Sequence, residues 1–346
     1  MNMIAFEDIS NIKRRNLYEC MWGSKAFDFP VEKTRYRGSV SNNSYTFTNT
    51  SITNEDVCAA RLAELFGIRR RGLFREKFAQ SCSGNGQELK RIATLHSSSL
   101  CALLFFYNVS EENPYIMKRE GEEYLFTESR FEYQNTVIEG RNPSNMDVVL
   151  AGVERSSGRP AVFFLESKFS EYYERPGKQL EIAAAYLDNN YGKALYKKEP
   201  LAKMGLYKDR QDGAETFTLR SKETCYLEGI KQMISHYIGI RNLCDSPDKK
   251  GDNIARAVSS GAKILLGEIL FTKGIGQFHI GKDEECFASY QKKYRVLADI
   301  LNEQIREDGI SDKFTVLRGL LSYSQLQGKA YIQDPQIERF YFALGK

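Results

Sequence analysis

Three ionisable residues stand at the ends of two apolar runs. The segment SNMDVVLAGVERSSGRPAVFFLESKF, residues 144–169, opens its first run on Asp147 and closes its second on Glu166 and Lys168. A hairpin turning at Ser156 and Ser157 sets Glu154 opposite Arg159, a favourable pair of charges, and Asp147 opposite Glu166. Residues two apart on a strand share a face, so Lys168 joins the two carboxylates. Facing carboxylates repel, and partial burial raises their pKa values further. A hard divalent cation relieves that repulsion. Mg²⁺, or Mn²⁺ in its place, accepts carboxylate oxygens and keeps several waters, and one such water can attack a phosphodiester. Asp147, Glu166 and the Ser167 carbonyl are the candidate ligands. Lys168 would orient the water or stabilise the charge that grows in the transition state. The plain alternative is a salt bridge among strand-end surface charges. The five apolar residues AVFFL directly before Glu166 favour the catalytic reading. Lys168 is expected at the strand end, beyond the apolar stretch, where its removal would open no cavity.

Positioning these groups requires both strands to be central. Val149, Ala151, Val162 and Phe164 continue the charged face, and Val148, Leu150, Phe163 and Leu165 fill the other, so both faces are apolar. Around them, EDVCAARLAELFG reads as a short amphipathic helix ending at Gly67. In QELKRIATLHSSSLCALLFF the apolar residues 89, 92, 95, 100, 103 and 104 follow helical spacing, which predicts one helix with Glu88 near its start. EEYLFTESRFEYQNTVI is strand-like and carries Glu132. PGKQLEIAAAYLDN is expected to be a helix, and YKDRQDGAETFT an exposed loop. YLEGIKQMISHYIGIRN is a helix in which Gln232 and His236, four apart, share a face. AKILLGEILFT reads as a buried strand and ECFASYQKKYRVLADILNEQI as a long amphipathic helix. This order predicts an α/β protein with one sheet flanked by helices.

With the residues laid out, SNMDVVLAG and VFFLESKFSEYY resemble the second and third motifs of the PD-(D/E)XK, or restriction-endonuclease-like, nuclease superfamily. They are especially similar to a bacterial branch of restriction-endonuclease-like proteins. There an Asp-Val-Val-Leu strand precedes a Glu-Ser-Lys-Phe strand followed by Ser-Glu-Tyr. One departure is that the proline of the superfamily name usually sits just before the Asp, whereas Pro143 lies four residues earlier. The resemblance implies a mixed central sheet flanked by helices, divalent-metal hydrolysis of phosphodiester bonds, and DNA as substrate. It divides the chain into an N-terminal elaboration (1–85), a nuclease core (86–280) and a C-terminal helical elaboration (281–346), which can close into one compact domain. It also implies an additional acidic residue, from the helix (Glu88) or the strand (Glu132), and a Gln from the following helix (Gln232). Taken alone, Glu88 and Glu132 each read more readily as solvated charges than as ligands, with Glu88 the favoured of the two. Gln232 reads equally well as part of a polar helix stripe. Glu171 and Glu174 read as surface charges, with Glu171 close enough to touch a group behind the site. Cleavage of both strands of a duplex would favour a homodimer.

Composition sets wider bounds. A formal net charge of +4 on 346 residues does not demand polyanion binding, so a nucleic-acid surface must be a local patch. Arg69, Arg70, Arg71 and Arg75, with Lys77, Lys90 and Arg91, are one candidate patch for phosphate contact, although such a run is usually a solvated face. The seven cysteines are odd in number and scattered, which argues against a disulfide framework or structural zinc and for a reducing cytoplasm. The N-terminus lacks the apolar run of a signal peptide, and LCALLFFY is too short to span a bilayer. No phosphate-cradling Gly-rich loop ending in Lys-Ser/Thr is present, and KGIGQFH falls short of a dinucleotide fingerprint. The three histidines are too dispersed to suggest a zinc enzyme, and there is no Gly-x-Ser-x-Gly elbow. The competing class is a nucleic-acid-binding or interaction protein built on the same fold without catalysis.

Overall fold

The computed structural model describes residues 10–22, 29–36, 39–50, 53–83, 88–174, 177–182, 186, 189–197, 206–207, 217–246, 251–272, 283–326, 328–329 and 331–342. The strands in chain order are β1 (Val31–Tyr36), β2 (Ser39–Phe47), β3 (Tyr115–Arg119), β4 (Glu122–Asn135), β5 (Ser144–Glu154), β6 (Pro160–Lys168), β7 (Gly177–Ile182), β8 (Leu206–Tyr207), β9 (Phe217–Cys225), β10 (Lys263–Leu270), β11 (Phe314–Val316) and β12 (Leu321–Ser322). The helices are α1 (Ile12–Trp22), α2 (Glu55–Leu65), α3 (Arg71–Cys82), α4 (Ser98–Phe106), α5 (Glu171–Glu174), α6 (Asn190–Lys197), α7 (Leu227–Asp245), α8 (Asn253–Ser259), α9 (Asp283–Glu307) and α10 (Pro335–Phe342).

A seven-stranded mixed sheet runs in the order β11-β10-β6-β5-β4-β3, with β12 also paired to β10. Strands β3 to β6 are antiparallel neighbours, whereas β10 runs parallel to β6. The fold is therefore α/β with a mixed sheet flanked by helices. Strands β5 and β6 are central, and Val148, Val149, Leu150, Phe163, Phe164 and Leu165 are all buried. The hairpin register is the symmetrical one, with Val148 opposite Leu165 and Val153 opposite Pro160. One face carries α4, whose Leu100–Phe106 are buried on every side, as suits a helix that is apolar all round. The other face carries α7 and α9.

Helix α10 packs onto elements from the first part of the chain. Phe340 of α10 meets Phe47 and Phe66 with ring centroids 5.4 and 5.3 Å away. The Tyr107 hydroxyl, just past α4, donates to Asp334.

Local departures from the sequence expectations have physical causes. The helix predicted from residue 88 begins only at Ser98, capped by Ser97, whose Oγ accepts the Leu100 N–H at 3.0 Å. Residues 88–97 are turns held to β2 instead, through Leu95 N to Tyr45 O and Phe47 N to Ala93 O. The helix expected over 176–189 is strand β7 at 177–182, where pairing with β9 overrides local propensity. Most of the loop expected at 207–218 lies outside the described residues, as do KGIGQFH and His279. Glu154 and Arg159 pair through their backbones, but their side chains do not meet. Glu154 accepts from Ser157 Oγ, while Arg159 donates to the carbonyls of Gly261 and Asp312.

Gly152 shows how tightly β4 and β5 approach. The β4–β5 register slips between Phe126 and Glu128, and a Cβ at Gly152 would lie 1.9 Å from the Leu125 oxygen. Gly152→Val is expected to lower the unfolding free energy in urea by at least about 2 kcal/mol, by overpacking. A loss under about 0.5 kcal/mol, the size of an ordinary surface change, would mean the strands are not this close.

Candidate active site

Sheet register assembles the site. Glu166 on β6 pairs with Glu268 on β10. On the other side, the β5–β6 ladder ends at Val148 and Leu165. One step beyond, the Asp147 carboxylate takes the next β6 donor, the Ser167 N–H, at 2.8 Å. Glu132 sits between the pairs Phe131–Val148 and Tyr133–Met146, which places it beside Asp147. Glu132, Asp147, Glu166 and Glu268 thus form a row across four adjacent strands. Glu132 is also one of three non-glycine residues among those described with positive φ, at 48°. A left-handed residue inside a strand costs on the order of 1–3 kcal/mol, and such strain clusters at functional sites.

A cavity of about 500 Å³ opens over the end of this row and is lined by Glu132, Asp147, Glu166 and Lys168. Glu166 is only 2 % exposed and Lys168 5 %. Lys168 Nζ is ion-paired with Glu166 Oε1. From α7, His236 Nε2 lies 2.9 Å from Glu166 Oε2. The other ring nitrogen, Nδ1, meets Ser144 Oγ at 2.5 Å. Burial pushes the Glu166 carboxyl up, but Lys168 and His236 outweigh it and hold it below the usual range. Burial pulls Lys168 down, yet Glu166 and its neighbours keep the ammonium well above its ordinary value.

The neighbouring carboxyls behave oppositely. Burial, then Glu166, raises Asp147 well above the carboxylate range. Burial, then Glu88 and Glu166, raises Glu132 to about 8, against a side-chain hydrogen bond with Asn145. Burial raises Glu268 to about 8. The Tyr290 hydroxyl on α9 lies 2.8 and 2.7 Å from its two oxygens. The row is therefore ionised at Glu166 and prone to hold protons on either side.

The structure brings Asp147, Glu166 and Lys168 together, as the hairpin predicts. It corrects the placement of Lys168, which is buried and paired with Leu270 because β10 runs alongside β6 to its last residue. Glu88 lines the cavity from a turn and not from a helix. Gln232 also lines it, with Oε1 lacking a hydrogen-bond partner, while His236, one turn on, is the α7 residue that reaches Glu166. The Ser167 hydroxyl points away, donating to Ser98 O and meeting Tyr323 Oη. Glu171 lines the cavity and accepts the N–H groups of Phe169 and Ser170. The side chain of Glu174 lies outside the described residues.

Part of the basic run is engaged within the protein, while Arg69 and Arg71 are exposed and do not line the cavity. Arg70 bonds Asn108 and Ser110, Arg75 pairs with Asp56, and Lys77 is buried against Ser129 O. Only Arg91 of that group lines the cavity. Glu268 was missed by sequence reasoning, although a lone acid inside KILLGEIL signals a buried charge that needs a partner. Among the described residues, no three His, Cys, Asp or Glu side chains converge to hold a metal by themselves. The chain matches no family model, no curated protein and no solved structure.

Glu268 gives a stability test that is independent of activity. Its folded pKa is raised, so the folded state binds the proton more tightly than the unfolded chain. Its contribution is then full at acid pH and is lost as pH rises from the usual glutamate range towards 8. Glu268→Gln, which mimics the protonated acid, should be close to wild type in stability at pH 5. It should gain on wild type by up to about 1.4 kcal/mol per pH unit towards pH 8. Parallel pH–stability curves from urea unfolding would show that Glu268 is ionised in the fold.

Proposed function

We propose that the protein is a metal-dependent nuclease that hydrolyses phosphodiester bonds in DNA, serving restriction, defence or repair. In this reading its sheet is a restriction-endonuclease-like one. The observation that carries the reading is the convergence of Asp147, Glu166 and Lys168, from adjacent central strands, on the wall of one cavity. With Lys168 already paired to Glu166, Asp147 and Glu166 cannot both ionise side by side in a buried site unless a second cation lies with them. The donor set suits Mg²⁺: the carboxylates of Asp147 and Glu166, which line one cavity, and the Ser167 carbonyl as the third ligand. Three converging acidic side chains are not required, because Mg²⁺ keeps several waters. When bound there, Mg²⁺ would polarise a phosphoryl oxygen and lower the pKa of a bound water.

The chain's own residues define the remaining roles. Lys168 keeps its proton, so it serves as a fixed ammonium near the phosphate and not as a general base. His236 and Lys168 hold Glu166 ionised. A cation's arrival would favour release of the Asp147 proton. The non-catalytic alternative draws on one observation: Glu166 is already ion-paired with Lys168, which weakens its demand for a metal.

Two variants separate these readings. Lys168→Met keeps the volume of the buried stem and should cut Mg²⁺- or Mn²⁺-dependent DNA cleavage by roughly 10²–10³-fold, with circular dichroism checking the fold. Asp147→Asn should abolish Mn²⁺ binding measured by calorimetry, whatever its activity. Wild-type protein that neither binds Mn²⁺ nor cuts any DNA would leave the non-catalytic reading. Undiminished cleavage by Lys168→Met would assign hydrolysis to other groups.

A further inference from the structure

We infer that this cavity receives a single nucleic-acid strand and not an intact duplex, an inference that rests on the nuclease reading above. The reacting groups are recessed, with Glu166 2 % and Lys168 5 % exposed, so a phosphate must descend to meet them. A duplex can lay its backbone across a surface. To lower one phosphate to the floor of a pocket, it must first unpair or splay the strand, at a cost in lost pairing and stacking. The volume of about 500 Å³ falls in the roughly 300–1,000 Å³ range of pockets that enclose one small ligand. That is room for a nucleotide unit and not for a double helix.

The walls carry the features that hold a single strand. Arg14 of α1, Arg91 of the 88–97 turns and Lys231 of α7 line the cavity, Lys231 with its ammonium 3.6 Å from the Glu228 carboxylate. Tyr186 lines the same cavity half-buried, with its hydroxyl 3.4 Å from Ser235 Oγ. Cations that follow the backbone, with an aromatic ring for a base to stack on, form the sequence-tolerant pattern of single-strand binding. Of the basic run that the sequence suggested, Arg91 alone lines this cavity, while Arg70, Arg75 and Lys77 have partners within the protein. One site also suffices for one strand, so no second copy of the chain is needed.

The test separates this inference from the nuclease reading by measuring binding and cleavage apart. Wild-type protein with Ca²⁺ in place of Mg²⁺ is titrated into fluorescent oligothymidine and into a hairpin duplex of matched length, with anisotropy as the readout. The single strand should bind at least about tenfold tighter, a gap of about 1.4 kcal/mol. Tyr186→Ala should weaken single-strand binding roughly 5- to 150-fold, the loss of one stacked base. Equal or tighter duplex binding overturns the inference, and a single-strand preference untouched by Tyr186→Ala overturns its assignment to this cavity. With Mg²⁺, single strands should be cut and a covalently closed duplex circle spared; equal rates on both also overturn it. Absence of all cleavage retires hydrolysis, while the Ca²⁺ titration still decides which form of nucleic acid the cavity takes.

Discussion

Four carboxyl groups in one row of a sheet cannot all be ionised in an apolar interior. This constraint organises the molecule. Each member of the row is accommodated differently. Glu166 receives Lys168 from its own strand and His236 from α7. Glu268 receives the Tyr290 hydroxyl from α9. Asp147 takes a backbone N–H, and Glu132 a side-chain hydrogen bond with Asn145. The two covering helices and the end of the β5–β6 ladder thus serve one electrostatic purpose. The result is asymmetric: the anion sits at Glu166, and its flanking partners carry raised pKa values. A buried set of this kind is poor as a source of stability, because desolvation offsets most of the Coulomb attraction. Perturbed carboxyls in a cleft are instead a pointer to function.

The local geometry follows from where the row lies. It stands where β5 and β6 part, so backbone donors become available to side chains, and the Asp147–Ser167 contact is the first to form. Glu132 departs from strand geometry at the same level. Its left-handed φ would be hard to sustain without the β4–β5 pairs on both sides of it. The cavity is therefore framed by regular sheet up to the point where regularity stops.

Much of this was readable from the residues, and the misses have causes. The hairpin register followed from symmetry about Ser156–Ser157, because period-2 alternation and a short turn leave one pairing that buries both faces. Helices α7 and α9 and strand β10 followed from periodicity and continuous apolarity. The contact of His236 with Glu166 was open in the sequence, since Gln232 and His236 share a helix face and only the helix's rotation chooses between them. Glu88 reached the cavity for a reason that its helical spacing did not reveal: β2 holds residues 93–95 by backbone bonds made across nearly fifty residues of chain. The burial of Lys168 was invisible for a like reason, since it depends on β10, distant in sequence, running the full length of β6. The triple alanine at 183–185 drew the helical expectation over β7, where strand pairing prevails.

The parallel pairing of β6 with β10 has a consequence during synthesis. Lys168 and Lys263, the last residue of β6 and the first of β10, are 95 positions apart. At about 5–20 residues per second, a ribosome takes roughly 5–20 s to cross that interval. Through this time the nascent hairpin offers Ala161–Leu165 as an unpaired apolar edge, the kind of edge that invites pairing with other chains. Glu166 and Lys168, at the end of that edge, place charge beside it while its partner is still being made. The same ion pair that shapes the cavity in the finished protein thus serves as a gatekeeper for the unfinished one.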